Sequence, residues 1–269
     1  MKDTQVIKTI QKDGSVIFTK VKPSDTDLRS FVFQSYLHKN LKNSFKICEP
    51  VSITSDGSCF NLNYKFVEQE RVILNETVLR QLGAFTAELH NFCFQKMSEI
   101  NLPDKTTVIG MAHWLDVPES QEKISCLEMR NMIKYKIDDF EHHVHIPVHR
   151  DLKLHNIMFD GKNFILIDFD FAAVADVSIE LSSFIIDIFY ELRDIYSIRW
   201  FADSYKKHSK LDIKWNSIIN NYLIYSCCNT FPFYLKGKIS DRDFNSLLKE
   251  RNDKLNYTFT FKDLINENL

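Results

Sequence analysis

Val148-His149-Arg150-Asp151-Leu152-Lys153-Leu154-His155-Asn156-Ile157-Met158-Phe159, followed shortly by Phe164-Ile165-Leu166-Ile167-Asp168-Phe169-Asp170, is the stretch on which the reading of this chain turns. Two short apolar runs, Val144–Val148 and Asn163–Ile167, flank a polar loop. The loop holds Asp151, Lys153 and Asn156, and Asp168 stands just past the second run. Three oxygen-bearing side chains and one ammonium group can therefore meet in one place. Mg²⁺ prefers oxygen ligands, often one or two carboxylates completed by phosphate oxygens. A further carboxylate can orient or deprotonate a hydroxyl nucleophile. Phosphoryl transfer from a metal-bound nucleotide needs these parts, because its catalysis is mostly positioning and charge neutralisation.

The run from His149-Arg150-Asp151 to Asn156 resembles the H-R-D-x-x-x-x-N catalytic loop of the protein-kinase-like superfamily. Asp168 resembles the metal-binding Asp of its D-F-G element, with Phe169 in place and Asp170 where glycine would stand. Ile167-Asp168-Phe169-Asp170, then Asp176 and Glu180-Leu181, are more similar to the aminoglycoside phosphotransferase and choline kinase branch of small-molecule kinases. Ala87-Glu88-Leu89-His90 adds a Leu-His pair late in a helix, also common there, and no A-P-E element follows Asp168. The resemblance implies an α+β, bilobal protein-kinase-like fold, with a small, reduced β-rich N-terminal lobe and a mainly helical C-terminal lobe. It implies ATP and Mg²⁺ as cofactors and a hydroxyl of a small molecule as acceptor. By the same resemblance Asp151 is the catalytic base, Asn156 and Asp168 hold Mg²⁺, Lys153 neutralises charge on the transferring phosphate, and His149 is structural. The small-molecule branch often lacks that lysine, so Arg150 and Lys153 keep a protein Ser/Thr kinase open as an alternative.

Upstream, Val16-Ile17-Phe18-Thr19-Lys20 resembles the strand whose lysine pairs with the nucleotide's α- and β-phosphates. Lys22 has the same side-chain parity and competes for that place. A hinge near Phe66–Arg71 would receive adenine against Phe66, Val67, Glu68 and Gln69. Two parts of the pattern are missing. The candidate helix Asp27–Lys42 has no Glu to brace the lysine; its Gln34 can hydrogen-bond but not neutralise. Only 19 residues precede Lys20 and no G-x-G-x-x-G occurs, so one hairpin with Gly14 at its tip replaces the usual Gly-rich loop. A degenerate kinase-like binding module is the non-enzyme alternative; the intact set Asp151, Asn156 and Asp168 stands against it.

Working outward, Thr4–Ile10 and Ser15–Val21 read as strands around Lys12-Asp13-Gly14-Ser15, a hairpin signal. Ser24–Asp27 offers cap residues for the helix that follows. Pro50–Ser55 and Phe60–Glu68 form a second strand pair through Ser55-Asp56-Gly57-Ser58. Val78, Leu79, Leu82, Phe85, Leu89 and Phe92 recur at helical spacing within Asn75–Phe94. Lys105–Pro118 reads as irregular and Glu119–Phe140 as helix. Beyond Ser178 the pattern predicts helices over Ile179–Lys207, Lys214–Lys236 and Asp241–Leu255. The expected lobes are 1–68 and 69–269, the first binding nucleotide, the second carrying the catalytic loop and the acceptor site.

The acceptor is expected on the helical lobe. Asp176 and Glu180 belong to the resembling segment, and Glu180, Asp187, Glu191 and Asp194 fall within about 60° of one helical face at 100° per residue. With Tyr190, Tyr196 and Trp200 nearby, that face suits a cationic hydroxylated ligand such as an aminoglycoside, an amino sugar, or a choline- or thiamine-like alcohol. Asp138, Asp139, Glu141 and His142-His143-x-His145 read as surface and loop.

The 269 residues carry 34 Lys plus Arg and 36 Asp plus Glu, a formal charge of −2, so no basic excess points to nucleic acid. Hydrophobic residues at 44% and charged residues at 26% match a soluble globular chain, and only 6 Gly and 6 Pro argue against long linkers. No early apolar run resembles a secretory signal and none approaches the roughly 20 residues of a membrane span. Six scattered cysteines without a C-x-x-C pair fit a reducing compartment. A cytoplasmic enzyme with no membrane and no nucleic-acid partner is the expectation.

Overall fold

Residues 5–41, 45–68, 73–104 and 144–222, with 253, 257, 260, 261 and 263–269, are described by the computed structural model. The expectations for 105–140, the acidic and histidine residues 138–143, Gln69, and most of the helices placed at 214–236 and 241–255 lie outside them.

Strands β1 (Gln5–Ile10) and β2 (Val16–Pro23) form the expected hairpin, Ile10 facing Val16. Gly14 at its tip sits at φ 84, which the missing Cβ permits. Asp13 Oδ1 accepts from the Ser15 N–H at 2.9 Å and the Ser15 hydroxyl at 2.7 Å. Helix α1 (Arg29–Asn40) follows; Leu28 holds its cap position, while Asp27 accepts the Arg29 N–H at 3.0 Å. After β3 (Phe45–Ile47), strands β4 (Pro50–Ser55) and β5 (Cys59–Lys65) complete an antiparallel sheet of order β1-β2-β5-β4.

Helix α2 (Glu76–Gln95) is capped by Asn75, whose Oδ1 accepts from the Val78 N–H at 3.1 Å. Strand β6 (His145–Val148) leads into the polar loop, β7 (Ile157–Phe159) and β8 (Phe164–Leu166) form a short antiparallel pair, and β9 (Ala173–Asp176) returns beside β6. Strand β3 pairs in parallel with β8, Ile47 facing Leu166. Side chains of β8 alternate between two cores, as strand geometry requires. Ile165 joins Phe31, Cys48, Leu62 and Tyr64 under the antiparallel sheet, whereas Phe164 and Leu166 join the larger helical core.

That larger core is built on α3 (Val177–Leu192), apolar on nearly every side and buried accordingly. Asp176 Oδ1 caps it through the Ser178 N–H at 2.9 Å. The single helix expected over Ile179–Lys207 is two, because Arg193 breaks it at φ 53 and Asp194 caps α4 (Ile195–His208). The Arg193 guanidinium lies 3.9 Å from the Tyr190 ring centroid and 4.0 Å from that of Tyr257, which holds the left-handed turn. Strands β3, β7 and β9 were not expected; each has only three or four residues. Among the described residues no helix is long and apolar enough to cross a membrane.

Candidate active site

At the end of β6 the chain turns sharply at Arg150, φ 64, an uncommon conformation for a non-glycine residue. Buried carboxylates hold it there. Glu180 on α3 accepts the Arg150 N–H with Oε2 and meets His90 Nε2 at 2.8 Å with Oε1. His90 Nδ1 lies 2.9 Å from the Tyr205 hydroxyl. One turn-pair further along α3, Asp187 accepts the Leu154 N–H at 2.9 Å. A charged acceptor bonds an amide more strongly than a neutral one, so two carboxylates on one rigid helix fix the loop at both ends.

His149 links the loop to the Asp168 segment. Its Nδ1 accepts from the Asp151 N–H at 3.2 Å, which leaves Nε2 as the donor to the Ile167 carbonyl at 2.8 Å. Its ring also packs 4.4 Å from that of Phe169, which in turn meets Phe33 of α1 edge-on at 5.9 Å. Inside the loop, Asn156 Nδ2 donates to the Asp151 carbonyl at 2.8 Å and to its carboxylate at 3.0 Å. Lys153 Nζ lies 2.7 Å from the other oxygen of the same carboxylate.

Asp168 also adopts a positive φ, 62°, which turns its carboxylate toward β2. Lys20 Nζ meets Asp168 Oδ1 at 2.7 Å and Asp170 Oδ2 at 3.3 Å; Lys22 Nζ meets the same Asp170 oxygen at 2.6 Å. Burial pushes the Asp168 carboxyl up, but the charge and hydrogen bond of Lys20 outweigh it and hold the group below the ordinary carboxylate value. Gln34 does not brace Lys20: its amide donates to the Cys48 carbonyl at 2.9 Å.

Beside this cluster opens a cavity of about 230 Å³, walled by Phe18, Cys48, Tyr64, Met158 and Ile167. Lys20, Phe66, Val67 and Asp168 line it, Glu68 does not, and Lys65 lines it without having been anticipated. Apolar walls with a few convergent polar groups at one end suit a flat heterocycle carrying a charged tail. The acidic face expected to hold the acceptor is divided differently. Asp176, Glu180 and Asp187 are almost wholly buried, at 1%, 2% and 5% exposure, and bond to the chain's own amides. Asp194 caps α4, so Glu191 alone of the set is exposed and uncommitted to a cap.

Asn156 donates both of these hydrogen bonds through Nδ2 and so keeps its side-chain oxygen as an acceptor, and Asp168 offers a carboxylate. No group of three or more His, Cys, Asp or Glu side chains suited to a metal occurs among the described residues. Two protein oxygens, with phosphate and water to complete the shell, is the donor set a hard cation such as Mg²⁺ accepts.

The order of strands, the two unequal cores and the loop held against α3 make this a kinase-like α+β protein. It is similar to an amicoumacin kinase solved with AMP-PNP and Ca²⁺, at 15% identity and TM-score 0.68, over 96% of this chain and 87% of that one. A spectinomycin phosphotransferase solved with ADP and spectinomycin matches at 12% identity and TM-score 0.67, over 100% and 91%. The macrolide 2′-phosphotransferase of Brachybacterium faecium matches at 12% identity and TM-score 0.67, over 91% and 88%. The chain belongs to the APH phosphotransferase enzyme family, whose profile matches residues 33–208. No curated protein matches it by sequence.

Proposed function

We propose that this chain transfers the terminal phosphoryl group of ATP, bound with Mg²⁺, to a hydroxyl group of a small molecule. The observation that carries the reading is the joining of two halves of one site. Lys20 and Asp168 line the cavity, and His149 ties the Asp151–Asn156 loop to the Asp168 segment. The nucleotides held by the amicoumacin and spectinomycin enzymes support it.

In this reading the cavity takes the adenine ring against Phe66 and Val67, and Lys20 steadies the phosphates. Asn156 and Asp168 would hold Mg²⁺, which supplies charge neutralisation on the phosphate oxygens. Asp151 orients the acceptor hydroxyl and accepts its proton, while Lys153, 2.7 Å away, offsets charge at the transferring group. Glu191 is the acidic residue that remains for a cationic acceptor such as an amino sugar or an amino alcohol. Free Cys48, Cys59 and Cys93 fit a reducing, cytoplasmic setting. The Lys153–Asp151 pair favours, as a second reading, a protein Ser/Thr hydroxyl as acceptor.

Incubation with γ-labelled ATP, Mg²⁺ and a panel of amino sugars, amino alcohols and generic protein substrates tests both. Labelled small alcohol is the expected product, with turnover lowered by roughly 10³-fold or more in a folded Asp151→Ala variant. Label on protein alone would transfer the conclusion to the second reading. Undiminished turnover in Asp151→Ala would remove the mechanism.

A further inference from the structure

Kinase-like sites ordinarily hold the nucleotide's phosphates with loop amides, but the tip of the β1–β2 hairpin, Gln11–Ser15, lies at the Phe66 end of β2 and is not among the residues that line the cavity. The Gly14 N–H donates to the Gln11 carbonyl at 3.0 Å, the Gln11 N–H to the Ser15 carbonyl at 2.8 Å, and the Ser15 N–H to Asp13 Oδ1 at 2.9 Å. The carboxylate of Asp13 at the tip would itself repel an anion. A cation further along β2, beside Lys20 and Asp168, is better placed to meet the phosphates of a nucleotide held in the cavity.

Lys22 is placed to do so. It lies two residues after Lys20 on β2, so both side chains project from the face that looks into the cleft. Both ammonium groups converge on one oxygen of Asp170, at 3.3 and 2.6 Å, and both side chains are mostly buried, 11% and 16% exposed. Lys22 therefore is not a solvated surface lysine. Asp170 supplies from the loop after β8 the carboxylate that α1 lacks, since Gln34 is committed to Cys48. When Asp168 is engaged elsewhere, Asp170 is left facing two ammonium groups, and the uncompensated positive charge matches a polyphosphate.

We propose that Lys22 is a second phosphate-binding cation of this site, and that Asp170 is the positioning residue that holds Lys20 and Lys22 together in place of a helix glutamate. The proposal rests on the nucleotide-binding reading above.

Isothermal titration of the full chain without added metal, using ADP and adenosine as separate probes, tests it. Lys22→Met keeps the apolar stem and removes the charge. The expected result is a loss of ADP affinity of about 10- to 100-fold with adenosine affinity unchanged, as for one charge-assisted contact to phosphate. Lys22→Arg should restore most of the ADP affinity. Should Lys22→Met fold poorly, the pair Lys22→Met with Asp170→Asn removes both charges at once and is read by the same ratio of ADP to adenosine affinity. Equal ADP affinity in wild type and variant would overturn the proposal while leaving the nucleotide reading intact, and so would a parallel loss of both probes. Absence of binding of either probe to the wild type would overturn both together.

Discussion

Cys48 lies on the cavity wall, its thiol 3.7 Å from the Lys65 carbonyl that accepts from it. Burial pushes that thiol up from an ordinary 9.0 to about 11, against a smaller opposing pull from Lys20. The folded chain keeps the proton between those values and the unfolded chain releases it. Stability from this group is therefore complete below pH 9 and declines as pH climbs toward 11. Denaturant unfolding followed across that window should show a shallower decline in Cys48→Ala than in wild type. At this scale the sequence was legible where chemistry is local. Asp151, Lys153, Asn156 and Asp168 stand in a short motif, and Lys20 was read from resemblance, since strand parity alone leaves Lys22 equally placed. Glu180 and Asp187 were misleading for a physical reason: helical periodicity puts them on one face but does not say whether that face meets solvent or backbone. Here it meets the amides of Arg150 and Leu154.

Helices α2 and α4 touch through a glycine. A Cβ built at Gly83 would stand 2.3 Å from the Phe201 carbonyl oxygen, far inside van der Waals contact. Backbone is the obstacle, so no side chain can rotate away. Gly83→Ala should cost about 1–3 kcal/mol and lower the melting midpoint by about 2–4 °C per kcal/mol. Gly14→Ala is the useful contrast, because nothing lies within 4 Å of its Cβ and only φ 84 is strained; about 1–2 kcal/mol is expected there. Thermal unfolding of the two variants checks both. Hairpins and the long helix α2 were legible because turn chemistry and periodicity are written in neighbouring residues. The break between α3 and α4 was not: Arg193 carries no turn signal, and Tyr257, one of the two rings that hold it, comes from far along the chain. Strand β3 is three residues long, too short to show a period.

Over the whole molecule, the proposed nucleotide site draws Lys20 and Lys22 from one core's sheet and Asp168 and Asp170 from the segment that follows β8. A ligand bridging them should stabilise the complete fold. At 100 times its dissociation constant a ligand adds about 2.7 kcal/mol, a rise of several degrees in a chain of this size. Wild type should show such a rise with Mg²⁺ and ATP, and Asp168→Asn should lose the part that depends on Mg²⁺, both measured by thermal unfolding. The α+β class was legible from the order of patterns, but the joint between the cores was not, since it depends on strands too short to announce themselves.

That joint bears on how the chain folds. Strands β1, β2, β4 and β5 find partners within the first 65 residues, through hairpins and one return past α1. Among the described residues β3 pairs only with residues 164–166, and Cys48 then donates its N–H to the Leu166 carbonyl at 2.9 Å. Closing so long a loop costs entropy before the contact returns anything, which makes such pairings slow. The roof of the cavity can thus form early, whereas its rear wall waits for the strand that leads into the Asp168 segment. A nascent or partly refolded chain would hold the sheet before it held the complete cavity.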